Sequence, residues 1–566
     1  MPISSQSRSK DTAETSVAQY VLNRLYKLGI KDVFGVVGDY AFPVQDAICA
    51  DQKMRWIGSC SEFNAAFSAD GYARIHGMAA ISTTFGVGEL SAINGIAGAF
   101  AENLPVFHLV GMPSTTVQKE KRLVHHTFGN GEFNHYYTMA QSVVCASAIL
   151  SPENCVAETE RLITTAMRER RPVYMGFPSD LAKMPVINNA KRPLDSPASH
   201  ASDPAVLEAA VAAITEVVSA SKTACILPGV QLSRCGLADK ATAVVDASNL
   251  PFATMLMDKS VLDETHPNYI GMYDGQLLDQ EVTNFVEGCD CVLGIGCLLT
   301  DFNSGGFTAK LDNTKGIHIT LNSVRVGSAC YNDIRMEDVL TELAKRIPHK
   351  TVKHPKIKRL VLPTDLDLNG PITVDYLYPR WQQMLRPNDI VFAETGTSSM
   401  GLAPAQLPKG ATFQNQTLYG SIGWATPASF GAALAVEAAG LGRRTILVTG
   451  EGSHQVTAQE VSQFYRFGLK PLIFVINNEG YLIDRLLSQD SETCYNNIPK
   501  WRYADLPKVL GCDDWFTARV TTCAELDEAI KTAETCDTGA YIEVVTARYE
   551  APALSNKFHE LYAGLR

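Results

Sequence analysis

The sequence predicts an α/β protein built from three doubly wound parallel-sheet domains. The chain has 566 residues. At roughly 150 residues per domain, that length supports three or four units able to bury their own cores. Short β-branched apolar runs alternate with helical patterns along almost all of it. Such alternation places helices on both faces of parallel sheets. Two stretches rich in Pro, Ser, Asn or Lys, 183–205 and 348–371, interrupt the alternation and read as linkers. The expected domains are therefore 1–190, 205–347 and 372–566.

The bulk numbers exclude several classes. A composition of 46% hydrophobic and 19% charged residues is that of a globular protein. A net charge of −11 argues against nucleic acid or an anionic membrane as partner. The start of the chain is polar, and no apolar run reaches about 18 residues, so neither a signal peptide nor a membrane span is expected and a cytoplasmic location is. The 14 cysteines are scattered. Cys289 and Cys291 are poorly spaced for zinc and too close for an easy disulfide, so the set reads as reduced thiols.

Taken in order, 17–30 is an amphipathic helix with Val21, Leu22, Leu25 and Leu28 near one face. A strand follows and is expected to end at Gly38 and Asp39. Residues 55–58 form another strand. The segment 61–77 is a helix, capped by Ser61 and closed by Gly77. A strand at 79–84 leads into a Gly- and Ala-rich helix, whose small side chains let another backbone approach. Strands at 106–110 and 173–177 complete the first unit. In the second unit, ACILPG, FATMLM, CVLGIG and GIHITLN read as strands. GIGCLL lacks the third glycine of GxGxxG, which argues against an NAD dehydrogenase. The third unit has DIVFAETG as an early strand, and the first and third units look alike in pattern.

The stretch 445–487 concentrates the chemistry. Residues 445–448 read as a buried strand, and Gly450, Glu451, Gly452 and Ser453 as a tight turn. Residues 457–467 read as a helix stopped by Gly468. A second strand, 472–476, ends on Asn477, Asn478, Glu479 and Gly480. Glycines admit phosphate oxygens to the backbone, and a helix N-terminus offers free N–H groups. The Glu451 carboxylate, the Asn478 amide oxygen and the Gly480 carbonyl are hard oxygen ligands suited to Mg²⁺ together with diphosphate oxygens. A Gly–acid–Gly turn, a 24-residue spacer (453–476) and Asn-Asn form a specific combination. In the first unit, Glu62 stands in the first turn of its helix, where the dipole favours an acid. Asp39 stands beyond a strand end, where ligand chemistry collects in α/β sheets. His125 and His126 are neighbours that cannot share a helix face. In a loop, both rings can line a cleft and exchange protons.

Together these residues resemble the thiamine diphosphate-dependent 2-oxo acid decarboxylases, the pyruvate and indolepyruvate decarboxylase group. The segments that carry the resemblance are VFGVVGDY, SEFNAAFSADGYARIHG, TTFGVGELSAINGIAGAFAEN, HHTFGNGEF, AETGTS, YGSIGWATPASFGAALA, GEGSHQVTAQE and INNEGYLID. The resemblance implies pyrimidine-binding, central and diphosphate-binding domains. It also implies an active site shared between two subunits, and a dimer of dimers. It implies Glu62 as cofactor activator and Asp39, His125 and His126 as proton-handling residues. Thr395 and Thr397 would meet cofactor and substrate. The Gly420 carbonyl, beside Ser421, would accept from the aminopyrimidine, and Ile422 would bend the cofactor. Gly450, Gly452 and Ser453 would take the diphosphate, and Glu451, Asn478 and Gly480 would hold Mg²⁺. Tyr481 and Ile483 would lie against the cofactor. The implied reaction is non-oxidative decarboxylation of a 2-oxo acid to an aldehyde and CO₂ through a C2 carbanion of thiamine diphosphate.

Two positions depart from the family. The usual metal-binding Asp is Glu451, and the usual catalytic Glu is Asp484, whose carboxylate sits about 1.5 Å nearer the backbone. Ile483, Leu487 and Phe302 point to a narrow pocket, with Ser399 returning some room, hence to pyruvate or a short aliphatic 2-oxo acid. The alternatives are an aromatic 2-oxo acid such as indolepyruvate or phenylpyruvate, an acetolactate synthase-type carboligase, and a nucleotide-binding or catalytically silent scaffold.

Overall fold

The computed structural model describes residues 15–187, 201–312 and 314–565. The polar lead and most of the 183–205 linker thus lie outside the described residues. Three sheets organise the rest. The first has six parallel strands in the spatial order Arg55–Gly58, Asp32–Gly35, Ala79–Thr84, Val106–Met112, Val173–Pro178, Ala146–Ile149. Numbered along the chain within that sheet, the order is 2-1-3-4-6-5. The third sheet repeats it with Thr412–Gln414, Ile390–Ala393, Thr445–Gly450, Leu472–Asn477, Ala540–Val545 and Phe516–Val520, again all parallel. In both, the crossover direction reverses between strands 1 and 3. A crevice therefore opens beyond the carboxyl ends of those strands, the position where α/β sheets take ligands.

The central sheet is mixed. Its parallel part, Ala224–Pro228 with Phe252–Thr254, Tyr269–Met272, Cys291–Ile295 and Ile317–Ile319, continues into an antiparallel edge of Ser323–Val326 and Ala329–Asn332. A purely parallel sheet was expected here. The chain first turns back at 320–322, where the Thr320 N–H donates to the Ser323 carbonyl at 2.8 Å, and turns again at Gly327, whose φ of +55° lets a two-residue loop join Val326 to its partner Ala329. Among the described residues, no helix is long and apolar enough to cross a membrane.

Two local expectations need correction. The first strand ends at Gly35, not at Gly38 and Asp39, because its pairing stops where Gly35 faces Gly58, the last residue of the neighbouring strand. Asp39 instead opens a short 3₁₀ turn, Asp39–Ala41. In the third unit the helix starts at Glu451 itself, runs to Thr457, passes through a 3₁₀ turn and resumes as Val461–Arg466. Glu451 is thus the first residue of a helix rather than part of a turn before one. The Glu62–His76 helix is as expected: the Ser61 hydroxyl accepts from the Asn64 N–H, and Gly77 closes it at φ +93°.

The first and third domains meet through that helix. It lies against the Ala425–Ala438 helix so closely that a Cβ on Gly71 would stand 1.8 Å from the Ala428 carbonyl, and one on Gly431 would stand 1.8 Å from the Ser68 carbonyl. Asp70 accepts from Trp424 Nε1 at 2.8 Å and from Arg74 Nε at 2.7 Å. Arg74 in turn covers the Trp424 ring at 4.5 Å. The Gly71→Ala variant is expected to lose on the order of 1–3 kcal/mol or more, the usual cost of forcing atoms into a packed contact. Denaturant unfolding measures this, and unchanged stability would contradict the crossing described.

Candidate active site

The first cluster forms at the carboxyl edge of the first sheet. Gly38 precedes Asp39 because a Cβ there would lie 2.3 Å from Thr84 Cβ. Asp39 Oδ2 lies 2.7 Å from His125 Nε2, and Asp39 Oδ1 lies 4.0 Å from His126 Nδ1. Tyr40 stacks on the His125 ring at 4.9 Å. His126 takes the left-handed backbone, φ +61°, and its carbonyl rests on Gly86. Glu62 reaches the same turn from its helix, with its Oε1 3.2 Å from where a Gly88 Cβ would be. No side chain bonds the Glu62 carboxyl among the described residues, and burial raises its pKa above the usual carboxylate value. All four residues therefore surround one turn, 84–88.

Glu89 holds that turn and was not singled out from the sequence. Its Oε1 accepts from the Gly86 N–H at 2.8 Å, and its Oε2 accepts from the Tyr174 hydroxyl at 3.0 Å. Burial pushes its pKa up to about 7. GVGEL offered a signal, since an acid at the third position of a helix can reach back to cap it.

The second cluster stands at the carboxyl edge of the third sheet. Glu451 is 1% exposed. Its Oε1 accepts from the N–H groups of Asn478 at 3.1 Å and Gly480 at 2.8 Å. Burial raises its pKa to about 7 against the pull of those N–H groups. Arg485 supports the 478–480 loop from below, donating to the carbonyls of Asn478 at 3.4 Å and Glu479 at 2.5 Å. Gly480 sits at φ +145° with no space for a Cβ, which would meet the Asn496 carbonyl at 2.3 Å. Gly452 lies under the Tyr481 ring, 2.4 Å from where its Cβ would stand. Gly450 and the buried Ser453 complete the entry to the helix.

The oxygens here fit a divalent cation. Asn478 Oδ1 is buried with no hydrogen-bond partner. Among the described residues, nothing donates to the Gly480 carbonyl, and both bonds to Glu451 fall on Oε1. Three hard oxygens, two on the 478–480 loop and one on the helix start that bonds to it, are therefore uncommitted or half-committed, as an oxygen-ligated metal requires.

Around it, Thr395 donates to the Gln416 carbonyl at 3.1 Å and packs by its methyl 3.9 Å from a Gly420 Cβ position. Thr397 opens the Thr397–Leu402 helix, and its carbonyl accepts from the Tyr378 hydroxyl. Ser421 accepts from Asn94 at 3.1 Å, so the 419–423 loop is held by the first domain. Ile422 is 40% exposed. Ile483 lies 3.7 Å from a Gly396 Cβ position and borders an apolar cluster with Met400, Phe558 and Phe302. Ser399 is buried and turns its hydroxyl to the Gly396 carbonyl, so it opens no space. Asp484 is in the first turn of the Leu482–Leu487 helix with no side-chain partner, and burial raises its pKa. Glu394 was also missed. Its carboxyl accepts from the Thr395 and Ala425 N–H groups, at 3.2 and 3.1 Å, and burial lifts its pKa to about 8.

Within one chain, no hydrogen bond or ion pair among the described residues joins Asp39, Glu62, His125 or His126 to Glu451, Asn478, Gly480 or Asp484. The arrangement supplies a proton-handling cluster and an oxygen-lined cradle as separate halves.

Three family models match the chain in succession. Residues 15–135 match the family model described as thiamine pyrophosphate enzyme, N-terminal TPP binding domain; 211–346 match the central domain; and 394–544 match the C-terminal TPP binding domain. An alpha-keto-acid decarboxylase of Mycobacterium leprae is 35% identical over 549 residues, covering 96% of this chain and 95% of that protein. One of Mycobacterium tuberculosis is 35% identical over 543 residues, covering 95% and 96%. Among solved structures, a putative thiamin diphosphate-dependent enzyme from Mycobacterium smegmatis superposes with TM-score 0.76 at 21% identity, covering 94% of this chain and 99% of the other. Benzoylformate decarboxylase from Polynucleobacter necessarius superposes with TM-score 0.77 at 18% identity, covering 95% and 99%. These two structures establish likeness of fold.

The buried carboxyls set a pH dependence. Glu89 and Glu451 near 7, and Glu394 near 8, keep their protons where the unfolded chain has lost them. Their stabilising contribution is full below the unfolded value of about 4.5 and is lost as pH rises through 7 to 8. Each unit of separation corresponds to about 1.4 kcal/mol. The cofactor-free protein is therefore expected to melt at a lower temperature at about pH 8.5 than at about pH 6.5. Glu451→Gln is expected to reduce that drop; an undiminished drop would contradict the assignment.

Proposed function

This chain belongs to the thiamine diphosphate-dependent 2-oxo acid decarboxylases, and we propose that its substrate is pyruvate or a short aliphatic 2-oxo acid, with Mg²⁺ beside the cofactor. When bound, thiamine diphosphate supplies a nucleophilic carbon and an acceptor for the electrons that CO₂ leaves behind. The protein residues do the rest. Glu451, Asn478 Oδ1 and the Gly480 carbonyl would hold Mg²⁺, while the backbone of Gly450, Gly452 and Ser453 would take the diphosphate. Glu62 would hold a proton against the pyrimidine ring, and its raised pKa supports that task. The Gly420 carbonyl would accept from the same ring, and Ile422 would support it from below.

The observation that carries the reading is the Asp39–His125–His126 cluster. Releasing an aldehyde requires a proton to be delivered to carbon, and a His–carboxylate pair held at 2.7 Å can deliver one. A carboligase that joins the same carbon to a second carbonyl has no need of that delivery. The Asp484 carboxyl, raised by burial and free of partners, supports a role as a further acid near the leaving carboxylate.

Substrate size follows from the apolar wall. Ile483 fills the space over Gly396, and Phe302, Met400 and Phe558 close in behind it. This crowding supports a small 2-oxo acid over indolepyruvate or phenylpyruvate. Two exposed surfaces support self-association with a shared site. Val37, Phe42, Val87, Leu123 and Phe128 are exposed around the histidine cluster, as are Leu418, Ile422 and Val456 around the cradle. A second copy would cover both and complete each half.

A panel of 2-oxo acids assayed for aldehyde and for 2-hydroxyketone tests this reading. Pyruvate is expected to outrun phenylpyruvate, with aldehyde as the main product. Preference for phenylpyruvate, or hydroxyketone as the main product, would overturn it. Glu62→Gln is expected to retain its melting temperature and lose activity by roughly 10²–10⁴-fold, the range of general acid–base assistance. Near-normal turnover in that variant would remove Glu62 from the mechanism.

A further inference from the structure

We infer that Asp39, His125 and His126 also form a site for a borderline divalent cation such as Zn²⁺, and that its occupancy silences the enzyme. Each side chain offers one ligand atom, and the three atoms lie within 4.8 Å of one another. Asp39 Oδ2 is 2.7 Å from His125 Nε2, and His126 Nδ1 is 4.0 Å from Asp39 Oδ1. Among the described residues, this is the one cluster of at least three His, Cys, Asp or Glu side chains so arranged.

The cluster is held in place before any ion arrives. Neighbouring residues ordinarily direct their side chains apart. Here the left-handed backbone of His126, φ +61°, brings its ring to 4.7 Å from that of His125, at an interplanar angle of 78°. That backbone is fixed by Gly86, whose missing Cβ leaves room for the His126 carbonyl. Tyr40 stacks on His125 from the other side. An independent observation points to a ligand: His126 Nδ1 is buried and has no hydrogen-bond partner.

The donor set selects the metal. Two imidazole nitrogens and one carboxylate oxygen suit Zn²⁺, Cu²⁺ or Ni²⁺, whereas Mg²⁺ prefers six oxygens. Three protein ligands leave Zn²⁺ an open fourth position for water. Coordination requires both imidazoles to be neutral, so binding releases to solvent the proton shared by Asp39 and His125. With their lone pairs on the metal, the three groups cannot deliver a proton. Inhibition rests on the reading in the preceding section; binding does not.

The test uses the holoenzyme with thiamine diphosphate and excess Mg²⁺. Co²⁺ serves as a spectroscopic probe and Zn²⁺ as the inhibitor. The wild type is expected to bind one equivalent of Co²⁺ with a visible absorption band and a Kd in about the micromolar range. The His125→Ala/His126→Ala variant is expected to lose more than the roughly 10–100-fold that removing an outer-shell partner costs. Serine at the exposed Cys49, Cys60, Cys330 and Cys494 is expected to leave the band unchanged. One equivalent of Zn²⁺ is expected to stop aldehyde release, and a nitrogen-donor chelator that spares Mg²⁺ to restore it. A wild-type band in the double-histidine variant, loss of the band in the cysteine variant, or no band in the wild type overturns the site. Full activity with Zn²⁺ bound overturns the inhibition. Absence of aldehyde from every 2-oxo acid defeats the functional reading while the Co²⁺ spectrum still reports on the site.

Discussion

The structure depends on the crossing of two helices at Gly71 and Gly431. Those glycines let the backbones of the Glu62–His76 and Ala425–Ala438 helices touch carbonyl to Cα, so the first and third domains share one interior. Charge then fixes the orientation. Asp70 and Arg74 bond each other across one turn of helix, and Arg74 also donates to the Asn415 carbonyl and to Glu102. Arg234 of the central domain completes the group through the carbonyl and the carboxylate of Glu102. Two acids and two guanidinium groups, all buried, tie three domains at one point. Buried ion pairs add little net stability, but removing any one would leave a charge uncompensated in the interior. The network therefore fixes a single arrangement of domains more than it strengthens it.

That arrangement positions both halves of the candidate site. The helix that crosses at Gly71 starts at Glu62, and its first turn is held by Glu460, which accepts from Asn64 Nδ2 at 2.8 Å and from the Cys60 N–H at 3.3 Å. Glu460 lies in the turn that ends the helix begun by Glu451. The Glu62 carboxyl and the oxygen cradle are thus built from the two ends of one packed unit, although among the described residues no bond joins them within a chain. The repeated strand order 2-1-3-4-6-5 has the same consequence from the side of the sheets. Each domain presents one crevice, and each crevice carries half of the chemistry.

Much of this was legible in the sequence, because it follows from local rules. Alternating runs predicted the strands 55–58 and 79–84 to the residue, and Ser61 and Gly77 bounded the Glu62–His76 helix through capping. The likeness of the first and third domains was visible as pattern before it was visible as topology. What was not legible depends on contacts between distant segments. Asp39 was placed at a strand end, yet the strand stops where its partner Gly58 runs out. The antiparallel edge of the central sheet hangs on two short turns, 320–322 and 327–328, since the runs beside them read the same in either direction. Glu89, Glu394 and Glu460 escaped notice because an acid before or within a helix resembles a surface residue until the neighbouring domain covers it.

The two departures at the ends of the 445–487 stretch become intelligible together. Glu451, longer by one methylene than the usual aspartate, spends one oxygen on the Asn478 and Gly480 N–H groups. A carboxylate on a shorter stem would sit about 1.5 Å further from those donors. The extra reach therefore ties the Glu451 carboxylate to the loop that bears the Asn478 and Gly480 oxygens, and a single side chain orders all three. Asp484 is the opposite case. It stands on the next helix, one turn beyond Tyr481, with no other side chain bonded to its carboxyl among the described residues and burial favouring its neutral form. Its shorter stem reduces its reach, and the terminal nitrogens of Arg485 are turned away from it, to the carbonyls of Asn478 and Glu479 and to Asn497. The stretch thus ties its Glu451 end to the 478–480 loop by two hydrogen bonds and leaves its Asp484 end without a side-chain partner; on the proposed reading, this puts the weight of proton delivery on the Asp39–His125 pair of the other sheet.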